Sequence, residues 1–248
     1  MGRLVGKACV VTGGARGIGR DIALAFAREG ADIAVIDLRG DLAAITAATA
    51  SACGVKSHAF VADVSVEQDV VTAISAAEAA LGRIDVLVNN AGIITTAALA
   101  DMPVPMWDEM IAVNLRSVFL CSKAVLPSMT QQRFGRIINI SSQLGHKGAP
   151  NMAHYAATKA AIIGFTRSLA REVVQDGINV NAICPGAIET ELGEDIPPVL
   201  RARRLAEIPL GRFGAVSEIG PTAVLLASSD GDYYVGATMN LNGGDVMM

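Results

Sequence analysis

Thr12-Gly13-Gly14-Ala15-Arg16-Gly17-Ile18-Gly19 is the stretch on which the reading of the whole chain turns. Before it, residues 8–11 (Ala-Cys-Val-Val) form a continuous apolar run, which suits a strand buried on both faces. After it, Ile18, Ile22 and Phe26 recur at every fourth position, the spacing of one helix face. The octapeptide is therefore a strand–turn–helix junction. Glycines allow the tight turn and let backbone approach a pyrophosphate closely, while the free N–H groups at a helix start bind negative charge. A kinase-type phosphate loop is a poor competitor, because no Gly-Lys-Ser/Thr follows.

Working outward, short Val/Ile-rich runs recur at 33–36, 58–61, 86–88, 137–140, 178–183 and 238–241. Ala-rich stretches with helical spacing lie between them, such as Phe165, Leu169 and Val173. Strand alternating with helix predicts an α/β fold, a doubly wound parallel sheet with helices on both faces. No linker, composition shift or repeat divides the 248 residues, so one domain is expected over 1–248. Residues 190–214 differ: Pro197, Pro198, Pro209 and the basic set Arg201, Arg203, Arg204 read as an insertion over the sheet edge, a substrate lid.

Composition narrows the function. Apolar residues make up 52% and charged residues 18%, ample for a large core. The formal charge is −4 and no Lys/Arg run forms a nucleic-acid footprint, so no nucleic-acid partner is expected. Apolar stretches are short and broken by Gly or charge, so no membrane span is expected, and residues 1–7 lack a signal peptide's apolar core. Cys9, Cys53, Cys121 and Cys184 are scattered without a CxxC pair and read as reduced thiols of a cytoplasmic protein. No His/Asp/Glu spacing makes a metal site, and His58, His146 and His154 read as core or surface residues.

Asp37 ends the second apolar run, 18 residues beyond Gly19. That is near the spacing at which an acidic group binds the adenosine ribose hydroxyls of a dinucleotide. A carboxylate there repels a 2′-phosphate and favours NAD over NADP. Arg16 and Arg39 could approach such a phosphate, but Asp37 alone stands at the strand end.

The Thr-Gly-x-x-x-Gly-x-Gly form of the loop resembles that of the short-chain dehydrogenase/reductase family, and the rest of the chain agrees in order. Asp63-Val64, Asn89-Asn90-Ala91-Gly92, Asn114, Ser142, Tyr155-Ala156-Ala157-Thr158-Lys159, Pro185-Gly186, Thr190 and Asn242-Gly243-Gly244 all stand where the family has its motifs. The resemblance implies a Rossmann-like domain, usually a homotetramer, with Leu241, Val246, Met247 and Met248 near one interface and the Tyr155 helix in another. It implies cofactor contacts from Gly13, Arg16, Gly17, Ile18, Gly19, Asp37, Asp63, Val64, Asn90, Ala91, Gly92, Pro185, Gly186, Ile188 and Thr190, with Tyr155 and Lys159 contributing on the nicotinamide side.

Within that resemblance Tyr155 is the acid/base and Lys159 holds the ribose hydroxyls. Ser142 bonds the substrate oxygen, and Asn114 holds a water that links Lys159 to solvent. Tyr155 and Lys159 are four apart, so on a helix they share one face. A free tyrosine titrates near 10; a nearby ammonium and a positive nicotinamide should lower that value. Gln143, Leu144 and Ala187 should line a largely apolar pocket for a small alcohol or ketone, alicyclic or sugar-like. Two alternatives stand beside this one. A 3-oxoacyl-carrier-protein reductase using NADP(H) is disfavoured by Asp37 and by Asp176, which faces an acidic partner where such reductases carry a basic residue; Arg133 matches the other docking position. A non-catalytic NAD-binding relative is disfavoured by the intact Ser142, Tyr155 and Lys159.

Overall fold

All seven apolar runs are strands of one parallel sheet in a computed structural model that describes residues 2–190 and 198–248. The strands are β1 (Ala8–Thr12), β2 (Asp32–Asp37), β3 (Ser57–Val61), β4 (Val86–Asn89), β5 (Gly135–Ile140), β6 (Ile178–Pro185) and β9 (Thr238–Leu241). A minor parallel pair, β7 (Ile188–Glu189) and β8 (Gly214–Ala215), lies outside that sheet and was not foreseen. The helices are α1 (Gly17–Arg28), α2 (Gly40–Ser51), α3 (Glu67–Leu81), α4 (Val104–Ile111), α5 (Ser117–Gln132), α6 (Leu144–Lys147), α7 (Ala153–Val173), α8 (Pro198–Ala206) and α9 (Gly220–Ala227). The sheet order is β3-β2-β1-β4-β5-β6-β9.

The two-residue period of a strand divides the core. Cys9 and Val11 pack with Ile22, Phe26 and Val224 on the α1/α9 face; Val10 packs with Ile74, Val125 and Leu169 on the α3/α5/α7 face. This is why the inner strands are buried on both faces and mostly apolar. Ile22 and Phe26 are fully buried, and truncating a side chain such as Phe26 to Ala costs about 3–5 kcal/mol in cores of this kind. β3 departs from the expected two-faced burial. It is an edge strand, and Val61 is 68% exposed.

Chain order reverses between β1 and β4, so the connections leave in opposite directions and a crevice opens at the carboxyl ends of these strands. Thr12, Asp37, Asn89 and Pro185 all sit at that edge.

One expectation needs correction. α4, a π turn (Ala112–Arg116) and α5 form a single helical run, Val104–Gln132, with mean hydropathy 1.3, long and apolar enough to cross a bilayer. Here Val118, Cys121, Val125 and Met129 are buried, the last three in the α3/α5/α7 core, and Asp108, Glu109, Arg116 and Lys123 lie along the run. All four cysteines are free, and Cys53 alone is exposed. Within 190–214, residues 191–197 lie outside the described residues, and the expected lid can be followed only from α8 onward.

Candidate active site

The cofactor end is built from the first junction. Gly13 has φ +64, and a Cβ there would come within 2.7 Å of the Ala91 backbone; a Cβ on Gly19 would meet Asn90 Nδ2 and Gly13 O at 2.3 Å. The loop thus lies directly against the segment that follows β4, and only glycine permits it. Thr12 Oγ1 fastens the two strand ends by accepting from the N–H groups of Asn90 and Ala91 at 3.1 and 3.2 Å. Asn90 Nδ2 in turn donates to the carbonyls of Thr12 and Gly13. Sequence reasoning missed Thr12, whose neighbour in the family motif drew all the attention. At the start of α1 no side chain caps the helix and no acid occupies the first turn, so its N–H groups remain available to an anion.

Asp37 is held in place by backbone. Its Oδ2 accepts from Ala15 N at 3.0 Å and its Oδ1 from Arg39 N at 2.9 Å. Asp63 is fixed by Ser65, whose N–H and hydroxyl both donate to Oδ1. One cavity of about 1270 Å³ joins Asp37, Asp63 and Val64 at one end to Ser142, Tyr155 and Lys159 at the other. Its wall includes Gly13, Arg16, Gly17, Ile18, Asn90, Ala91, Gly92, Pro185, Gly186, Ile188 and Thr190, so the residues expected to hold a dinucleotide are brought together. Gly19 and Asn114 are not on the lining; they act behind it.

Asn114 sits in the π turn, where the wider coil turns its side chain inward. It is 1% exposed. Oδ1 accepts from Ile93 N at 2.8 Å, and Nδ2 donates to Ile93 O at 2.9 Å and to Met110 Sδ. Its side chain therefore pins the segment after β4. A buried chain, Ser122–Asn89–Asn139–Thr166, ties β4, β5, α5 and α7 beneath the site.

Ser142 follows β5; its Oγ accepts from Leu144 N at 3.1 Å, and its hydroxyl also hydrogen-bonds Tyr155. Tyr155 and Lys159 share one face of α7 as expected, with Nζ 5.5 Å from the phenol ring centroid. Lys159 is 5% exposed and donates to Ile140 O at 2.9 Å. Burial lowers its pKa to about 8, against a smaller opposing effect of Cys184. Burial also raises the Tyr155 phenol, offset in part by its hydrogen bond with Ser142. Within the chain's own groups the expected depression of Tyr155 by Lys159 does not emerge; burial dominates, and only Ser142 opposes it. His154, behind Tyr155, is fully buried and its Nε2 meets Thr95 Oγ1 at 2.8 Å, a core position.

The substrate end holds more than the sequence pattern suggests. Gln143, Leu144 and Ala187 line it, but so do Lys147, Glu207, Asp245 and the α8 arginines. Asp245 accepts from both Gln143 Nε2 and Lys147 Nζ, and Lys147 also reaches Glu207 at 3.0 Å. The wall at this end therefore sets a charged cluster beside apolar residues such as Ile94, Met152 and Phe213. Lys147, Glu207 and Asp245 stand in motifless sequence, and only the fold assembles them.

The family model described as Enoyl-(Acyl carrier protein) reductase matches residues 13–245. The chain is 40% identical to 2-(S)-hydroxypropyl-CoM dehydrogenase 3 of Xanthobacter autotrophicus, over 98% of this chain and 97% of that protein. It is also 40% identical to a 3-oxoacyl-[acyl-carrier-protein] reductase of Thermotoga maritima, over 99% and 100%. Among solved structures, an NAD+-bound xylitol dehydrogenase superposes with a TM-score of 0.93 at 31% identity, covering 98% of this chain and 100% of that one. A short-chain type dehydrogenase/reductase from Mycobacterium marinum also gives 0.93, at 33% identity, covering 99% and 97%.

Proposed function

The chain belongs to the short-chain dehydrogenase/reductase family, and from that premise we propose that it is an NAD-dependent oxidoreductase of a small secondary alcohol or its ketone. The observation that carries this reading is the convergence of Ser142, Tyr155 and Lys159 on the cavity that Asp37 closes at its other end. The residues fit a dinucleotide: the glycine loop and uncapped α1 suit a pyrophosphate, and the space beside Gly17 is open up to Thr190. When bound, the nicotinamide supplies the hydride acceptor or donor. The chain supplies the rest. Ser142 donates to the substrate oxygen, Tyr155 takes or returns the hydroxyl proton, and Lys159 holds its ammonium beside both and meets the ribose. Asn114 is a positioning residue for the cofactor wall.

NAD is favoured over NADP because Asp37, locked by two amides, presents a carboxylate where a 2′-phosphate would stand. The NAD+-bound xylitol dehydrogenase lends this support. Carrier-protein reduction is the weaker reading: Arg133, the one docking arginine, donates to Gln175 O and lies 4.0 Å from Asp176. A cytoplasmic homotetramer is the inferred working form, the former supported by three buried free thiols.

The test is steady-state oxidation of a panel of secondary alcohols with NAD+ and NADP+. Tyr155→Phe should keep cofactor binding and lose about 10²–10⁴-fold in turnover. Near-normal turnover in that variant would remove Tyr155 from the acid/base role.

A further inference from the structure

α8 is tethered over the cavity from both sides. Near its start, Arg201 Nη2 bonds Glu189 Oε1 at 2.6 Å and its guanidinium lies 4.5 Å from the Phe213 ring. Just past its end, Glu207 accepts from Lys147. Glu189 follows the Pro185-Gly186 turn and Lys147 follows Ser142, so both tethers reach loops that line the reacting end. Between them stand Arg203 and Arg204, which line the same cavity and form no ion pair among the described residues.

Among the described residues, the carboxylates of this end do not answer them. Glu189 is engaged by Arg201, Glu207 by Lys147, and Asp245 by Lys147 and Gln143. Outside the Asp37 and Asp63 lobe, Glu109 of α4 is the one remaining acid among the described residues on the lining. A guanidinium is a planar fork of donors that cannot lose its charge, and it matches an oxyanion two bonds at a time. Two such forks on one cavity wall, with the described acids near them already committed, are placed to receive an anion from the ligand.

We propose that Arg203 and Arg204 form an anion-recognition subsite, so that the alcohol or ketone handled here carries a carboxylate or sulfonate remote from the reacting carbon. This rests on the oxidoreductase reading and names the substrate class within it. The tethered helix sets the distance between the two ends of the substrate, and Lys147, already bound to two carboxylates, takes no part.

The test uses the enzyme with NAD+ or NADH and methyl ketones ending in a carboxylate or a sulfonate on one to four methylenes, each against its neutral amide. Isothermal titration of each ketone into the enzyme–NAD+ complex, which has no hydride to give, yields the affinity without turnover, and NADH oxidation gives kcat/KM. The acid should outperform its amide by about tenfold at one chain length, the worth of one charge-assisted hydrogen bond. In the double variant Arg203→Gln, Arg204→Gln that ratio should fall to about one, and the two acid arms decide between carboxylate and sulfonate. Equal binding of acid and amide, binding of neither, or a ratio that survives in the double variant would overturn the subsite. Reduction of the ketones without acid preference sinks the subsite and leaves the oxidoreductase reading standing. Acid-selective binding lost in the variant, with no reduction of any ketone, does the reverse.

Discussion

Replacing Lys159 by methionine should stabilise the fold at neutral pH while removing activity. The side chain is 5% exposed, and burial moves its pKa from 10.5 to about 8. A lysine whose folded pKa is depressed binds its proton more weakly in the native state than in the unfolded one. Stability therefore rises with pH between about 8 and 10.5, and below that window the full cost of burying the ammonium is present. The two values correspond to about 3 kcal/mol. Methionine fills a similar volume without charge, but it leaves Ile140 O without its donor, a loss of about 1–2 kcal/mol. The net expectation is a variant about 1–2 kcal/mol more stable than the parent near pH 7, with the advantage shrinking above pH 8. Urea unfolding of both proteins at fixed protomer concentration, near pH 7 and again near pH 9.5, measures this directly. A variant less stable near pH 7, with the same pH dependence as the parent, would show that Lys159 is not held against a desolvation cost.

Other consequences are equally open to measurement. Asp37→Ala should narrow the preference for NAD over NADP in titrations of each; tighter NADP binding by the unmodified chain would overturn the assignment. Light scattering should report a tetramer, since Leu99, Val104 and Phe119 are exposed near α4 and α5, and Met247 and Met248 are 78% and 81% exposed at the chain end; a monomer would refute it. Hydrogen exchange across 198–214 should slow when NAD and substrate bind, as a lid would require, and equal rates with and without ligands would count against it.

What could be read without coordinates divides along physical lines. The seven main strands declare themselves because a parallel sheet covered on both faces demands continuous apolar runs, and the glycine loop because only glycine fits the approach of Gly13 to Ala91. Tyr155 and Lys159 are legible because helix geometry alone places residues four apart on one face. β3 misled, since a run such as residues 58–61 is apolar enough for the interior yet is used at the edge, where the partner strand rather than the side chain decides exposure. The charged cluster on the substrate wall was illegible for a different reason. Lys147, Glu207 and Asp245 are 60 and 98 residues apart along the chain, and no local period signals that they meet. β7 and β8 are two residues each, too short to leave a pattern.

The two titrating groups of the site share one cause, and this ties the chemistry to charge in the cleft. Burial raises the Tyr155 phenol and lowers the Lys159 ammonium, so in an uncharged cleft the charged form of each is disfavoured. Tyr155 then keeps its proton, the form that can donate to a carbonyl oxygen as it becomes an alcohol. A positive ring beside Tyr155 favours phenolate, the form that can take a proton from an alcohol. Ser142 serves either direction, because its Oγ is anchored on Leu144 N and its hydroxyl, bonded here to Tyr155, can turn to whichever oxygen bears more charge. The desolvation that makes Lys159 costly to the fold is thus the same property that keeps Tyr155 responsive to the charge brought by its ligand, and a more solvated pair would answer that charge far less.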